Sequence, residues 1–80
     1  MVEMADIIER IKDVISKEHE GRKVFDKNVA HTLGFSPDNL GTKKSRNLIP
    51  YDELTMFCWQ HKVSFDWLFF GLGKMEMNYA

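Results

Sequence analysis

The stretch that decides the fold is Asp26 to Arg46, DKNVAHTLGFSPDNLGTKKSR. It reads as two short helices hinged at Leu33-Gly34-Phe35-Ser36. Gly accepts the left-handed conformation that closes a helix, so Gly34 ends the first. Ser36 is a natural N-cap, and Pro37 stands at the first helical position, where a missing N–H costs nothing. Two consecutive helices joined by a three- to four-residue turn containing Gly form a helix-turn-helix unit.

Within this unit, Val29, Ala30 and Leu33 are expected to face inward, and the small Ala30 lets the next helix approach closely. Asp26 is expected to be the N-cap of its helix, with Phe25 and Ala30 placed as a hydrophobic staple. Phe35 is expected to plug the core at the turn. The following helix has one strong apolar anchor, Leu40. Asp38, Asn39, Thr42, Lys43, Ser45 and Arg46 are left unclaimed by the core. A helix with one anchor and so many polar residues is a solvated surface turn or a binding helix. Gly41 weakens it by roughly 1 kcal/mol relative to Ala, which hints at close approach by another backbone. Asn47 can end it in the left-handed region.

Before this unit, Met4, Ile7, Ile8, Ile11, Val14 and Ile15 recur at three- and four-residue spacing, which predicts an amphipathic helix from about Glu3 to about His19. Gly21 is its stop. After the unit, Pro50 opens a fourth helix at the first position, with Asp52 and Glu53 in its first turn, favourable for the helix dipole. Leu54, Phe57, Cys58 and His61 share one side of it. Ser64 caps a fifth helix with Phe65, Leu68 and Phe69 as core residues, and Gly71 and Gly73 end it. The reading is a compact all-α, five-helix domain over residues 1–73, with 74–80 as a short flexible tail.

Eighty residues make one domain with a small core. The apolar and charged fractions, 44% and 29%, are those of a globular rather than a disordered chain. The single cysteine, Cys58, forbids an internal disulfide and suits a reducing cytoplasm. No apolar run approaches the roughly 18 residues of a membrane span, and the N-terminus does not read as a secretory signal.

The formal net charge is -1, but it is unevenly spread. Residues 1–20 carry -3, residues 21–47 carry +4, and residues 48–80 carry -2. Affinity for phosphate depends on charge within about a Debye length, so the middle third matters more than the total.

The chain resembles the N-terminal DNA-binding domain of bacteriophage CI-type repressors, a lambda-repressor-like helix-turn-helix fold. The resemblance covers about residues 6–72. It rests on Val29-Ala30, Leu33-Gly34-Phe35-Ser36, Leu40, Arg46, Ile49-Pro50-Tyr51, Ser64-Phe65-Asp66-Trp67-Leu68 and Gly71. It implies sequence-specific double-stranded DNA binding, with the second helix of the unit in the major groove, and a transcriptional repressor acting as a homodimer on a palindromic operator. The contact residues then expected are Asn39, Thr42, Lys43 and Arg46, with Lys44, Ser45 and Lys27 on phosphates. Arg22 and Lys23 are either further phosphate contacts or part of a soluble loop. Asp38 can only accept, for instance from a cytosine N4 amine. The chain departs from the family at Lys43, where relatives carry Trp, and at Gly41, where they carry Ser. Pro37 and Asp38 occupy positions from which relatives read bases. Asp26 stands where relatives approach a phosphate. These acids and the overall charge favour the alternative, a protein-interaction module of antitoxin or adaptor type on the same fold.

His19, His31, His61 and Cys58 fall on separate helices apart from the Cys58–His61 pair, and two ligands do not make a structural zinc site. No metal or other cofactor is implied. No nucleophile–base–orienter set and no phosphate loop is visible, so the chain is not read as an enzyme. Met56, Trp59, Trp67 and Phe70 exceed what so small a core can hold. Part of this group is expected on an exposed patch, suited to a dimer contact.

Overall fold

A computed structural model describes residues 1–77 and contains five helices: α1 (Met4–Glu18), α2 (Asp26–Leu33), α3 (Pro37–Arg46), α4 (Tyr51–His61) and α5 (Phe65–Phe70). The all-α, five-helix architecture expected from the sequence is present. Among the described residues there is no strand, only an isolated antiparallel bridge between Val63 and Glu76. No described helix is long and apolar enough to cross a membrane.

The α1 stripe is buried along its whole length: Met4, Ile7, Ile8, Ile11, Val14 and Ile15 all lie in the core. Val29, Ala30 and Leu33 meet it from α2, Leu40 from α3, Leu54, Phe57 and Cys58 from α4, and Leu68 from α5. Burial pushes the Cys58 thiol up to about 11, so the residue is a small apolar core group and not a thiolate. Phe65, expected inside, is exposed, and its place is taken by Val63, buried just before the α5 cap. Met56, Trp59 and Phe70 are more than half exposed, while Trp67 packs partly against the core. The expected division of this group is therefore present.

The helix ends follow the caps with two corrections. Ser36 Oγ accepts from the Asn39 amide (3.1 Å) and Ser64 Oγ from the Trp67 amide (3.4 Å). Asp26, however, is the first helical residue and not the cap. Phe25 holds the cap position, and its amide donates to Asn28 Oδ1 (2.9 Å). Phe25 is also too exposed to staple the helix; Val24, half-buried against the core, lies one residue earlier. Pro50 likewise sits at the cap of α4, one position before the helix.

The α5 terminus is capped by a cation from α1. The Arg10 guanidinium donates to the Leu68 carbonyl (3.0 Å), where the helix dipole favours positive charge. Gly71 and Gly73 are both left-handed and turn the chain back. The Ser64 amide donates to the Met75 carbonyl (2.8 Å) and the Met77 amide to the Lys62 carbonyl (2.9 Å). Glu76 pairs with Lys17 (2.5 Å), and Met75 and Met77 pack on the core. Residues 74–77 therefore belong to the folded unit and are not a loose tail; the rest of the segment expected to be flexible, 78–80, lies outside the described residues.

Candidate functional site

The hinge between α2 and α3 is built by Gly34, at φ 84° and ψ 22°. Its amide donates to the His31 carbonyl (3.2 Å), and the Phe35 amide donates to the Ala30 carbonyl (2.8 Å). This pair of bonds satisfies the last carbonyls of α2 and aims the chain into α3. Phe35 is half-buried against the core, as its plug role requires. Ala30 of α2 and Leu40 of α3 are both essentially inaccessible, in one shared core.

The α3 helix buries Leu40 alone. Pro37, Asp38, Asn39, Gly41, Thr42, Lys44, Ser45 and Arg46 are exposed, and Lys43 is half-buried. Its far end is fixed by Asn47, which is left-handed (φ 53°) and reaches back to α1. Asn47 Oδ1 accepts from the Met4 amide (2.6 Å), and Nδ2 donates to the Val2 carbonyl (3.0 Å). No side chain of its own caps α1, so Asn47 supplies that cap from the end of α3.

Apart from Lys27 and Lys44, the side chains expected to touch a ligand divide into three groups. Thr42 and Ser45 hydroxyls donate to carbonyls of their own helix, at Asp38 and Thr42 respectively (both 3.2 Å). Their oxygens remain able to accept. Asn39 and Lys43 are joined: Lys43 Nζ donates to Asn39 Oδ1 and lies 4.4 Å from the centre of the Phe35 ring. Lys43 is thus a cation lying over an aromatic ring. Asp38 and Arg46 are exposed with no side-chain hydrogen bond or ion pair among the described residues.

Lys44 and Lys27 behave differently from each other. Lys44 Nζ is 3.1 Å from Asp26 Oδ2, and Lys12 Nζ of α1 is 2.6 Å from Asp26 Oδ1. Lys12 also reaches Glu9 (3.0 Å). One carboxylate therefore ties three helices together. The bond from Lys12, aided by Lys44, holds the Asp26 carboxyl below its ordinary value, and the same pairing raises Lys12. Lys27 is not in this network. It and Lys23 flank the exposed ring of Phe25, at 5.9 and 5.3 Å from its centre.

Sequence reasoning identified α3 and missed Asp26, Lys12 and Asn47 as its supports. Asp26 had a local reading, the helix cap, which the observed boundary displaces by one residue. Asn47 had its left-handed backbone as a signal, but nothing local indicates where its amide points.

The histidines do not converge with Cys58. His61 stacks on Phe57 (4.3 Å between centres) and faces Glu18 (2.8 Å from Nδ1), while His19 and His31 are exposed elsewhere. Among the described residues no group of three or more His, Cys, Asp or Glu side chains could hold a metal ion. Comparison with protein-family models, curated proteins and solved structures finds no match to the chain.

Proposed function

We propose that the chain binds double-stranded DNA in the cytoplasm through α3, as a homodimeric transcriptional repressor of the phage CI type on a palindromic operator. One observation carries the reading. The α3 helix buries a single residue, yet it is anchored by Leu40, capped by Ser36 and clamped by Asn47. A helix held so firmly and buried so little has its outer face available to a ligand. That face offers an acceptor-only group (Asp38), an amide (Asn39), hydroxyls (Thr42, Ser45) and cations (Lys43, Arg46), which are the groups that read base edges and phosphates. Lys27, on α2, is a further phosphate contact; Lys44, expected in the same role, is paired with Asp26.

A second reading is favoured by Met56, Trp59 and Phe70, whose exposure provides an apolar surface of the kind that contacts protein. In that case the fold serves as an interaction module without base readout. Titration of a random-sequence duplex with salt separates the two. The DNA reading expects log K to fall linearly with log salt, at a slope of about -0.9 per phosphate neutralised. The Arg46→Ala/Lys43→Ala double variant then has a slope shallower by as much as about 1.8, two cations at about 0.9 each. Selection from a random duplex pool is expected to return a palindrome with half-sites about one helical turn, 10–10.5 base pairs, apart. Absence of binding to any duplex at low salt sinks the DNA reading.

A further inference from the structure

We infer that Asp26 stands within the chain where a DNA backbone phosphate would otherwise sit, and that it thereby limits the grip of the α2–α3 unit on duplex DNA. The inference rests on the DNA reading above and deepens it. The two oxygens of Asp26 each meet a different ammonium, Lys12 on one and Lys44 on the other. A phosphate diester presents the same feature, two anionic oxygens on one centre, and lysine recognises either as a point charge. The cluster is open: the Asp26 and Lys44 side chains are 44% and 43% exposed. It also lies at the first residue of α2, next in sequence to the exposed Lys27, and is tied to α3 through Lys44.

The charges decide which cation is masked. Lys12 has a second carboxylate, Glu9, and stays paired when Asp26 is neutral. Lys44 has Asp26 alone among the described residues. Asp26 therefore withholds one cation, Lys44, from the phosphate backbone. A cation already paired inside the protein neutralises no phosphate and releases no counterion on binding. The native domain thus binds DNA more weakly, and with a shallower salt dependence, than its count of basic residues implies. For a repressor this favours readout by α3 over sequence-independent attraction.

The test is a two-by-two set, wild type, Asp26→Asn, Lys44→Met and the double variant, titrated against a random-sequence 20-base-pair duplex between 50 and 200 mM salt. Asp26→Asn is expected to bind more tightly and to steepen the slope by about 0.9, one added phosphate. Its advantage over wild type should then shrink about 3.5-fold across that fourfold range of salt. Lys44→Met should leave the slope unchanged when Asp26 is present and lower it by about 0.9 when Asn replaces it. If Lys44→Met lowers the slope equally in both backgrounds, Lys44 already holds a phosphate and the inference falls, while the DNA reading stands. If Asp26→Asn does not fold, judged by its circular dichroism, the Lys44→Met comparison in the wild-type background decides alone. If wild type binds no duplex at low salt but Asp26→Asn does, the masking is upheld and the native chain's role on DNA is lost. If neither binds, both fall.

Discussion

The helices α1 and α3 show what an inward and an outward helix look like in one small domain. The first buries six residues, and its polar ties, such as the Asn47 cap, add to that burial. The second buries one and is held by a serine cap, an asparagine clamp and an ion pair through Asp26. Apolar burial is non-directional and scales with area, and it is the larger part of what secures α1. Hydrogen bonds and charge pairs are directional, and they can hold a helix in place while leaving its surface free. The difference is that the fold uses one face of α3 and leaves the other to solvent.

The largest effect should come from the inward helix. Ile8 is wholly buried, and Ile8→Ala is expected to cost about 2–5 kcal/mol through lost transfer energy and the cavity left behind. Thr42→Ala, on the exposed face of α3, should stay within roughly 0.5 kcal/mol. Urea unfolding measures both. The contrast between the helices breaks if the two variants unfold at the same urea concentration.

A middle-sized effect probes the clamp that joins them. Asn47→Gly keeps the left-handed backbone and loses two side-chain hydrogen bonds, each worth about 0.5–1.5 kcal/mol. Asn47→Ala loses the same bonds and, unlike Gly, keeps a Cβ at φ 53°, so it should fall below Asn47→Gly by roughly 1–2 kcal/mol. Both should expose the Met4 amide to hydrogen exchange, since the first turn of α1 loses its cap. If Gly and Ala unfold alike, the backbone conformation contributes nothing and only the side chain matters. If Gly unfolds like wild type, α1 does not depend on α3 for its cap.

How much of this was legible follows from range. The α1 stripe, the Gly34 hinge and the Ser36 and Ser64 caps all act within a few residues, and they were read as they stand. The boundary residues Phe25 and Pro50 slipped by one position, which a sequence pattern does not resolve. Phe65 was expected inside and is exposed, while Val63, on the other side of the same cap, is buried; only the packing of α5 on α4 chooses between two such apolar residues. The return of Met75 and Met77 depends on pairing with Lys62 and Ser64, a contact without local signature. The site divided in the same way. The exposed face of α3 was visible in its composition, whereas the Asp26 bridge joins residues on three helices, and its partners emerge only once those helices meet. The close approach by another backbone expected at Gly41 does not come from within the fold: a Cβ placed there would meet nothing within 4 Å.

That last point gives the smallest and most discriminating test. Gly41 has an ordinary helical backbone and open space around it, so nothing inside the fold requires glycine. Gly41→Ala is expected to stabilise the domain by about 0.8–1 kcal/mol, the propensity difference in a helix interior. In an 80-residue domain this raises the melting temperature by roughly 4–8 °C. The same methyl group projects from the exposed side of α3, where a docked duplex would lie. A variant that melts higher and binds duplex less tightly would show that glycine serves the ligand at the expense of the helix, sharpening the distinction between α1 and α3. A variant that melts higher and binds equally well leaves that face unopposed at Gly41 and moves the contact toward Arg46 and the far end of the helix. A variant that does not melt higher would mean that α3 is not limited by its own propensity, and that its clamps alone determine how firmly it is held.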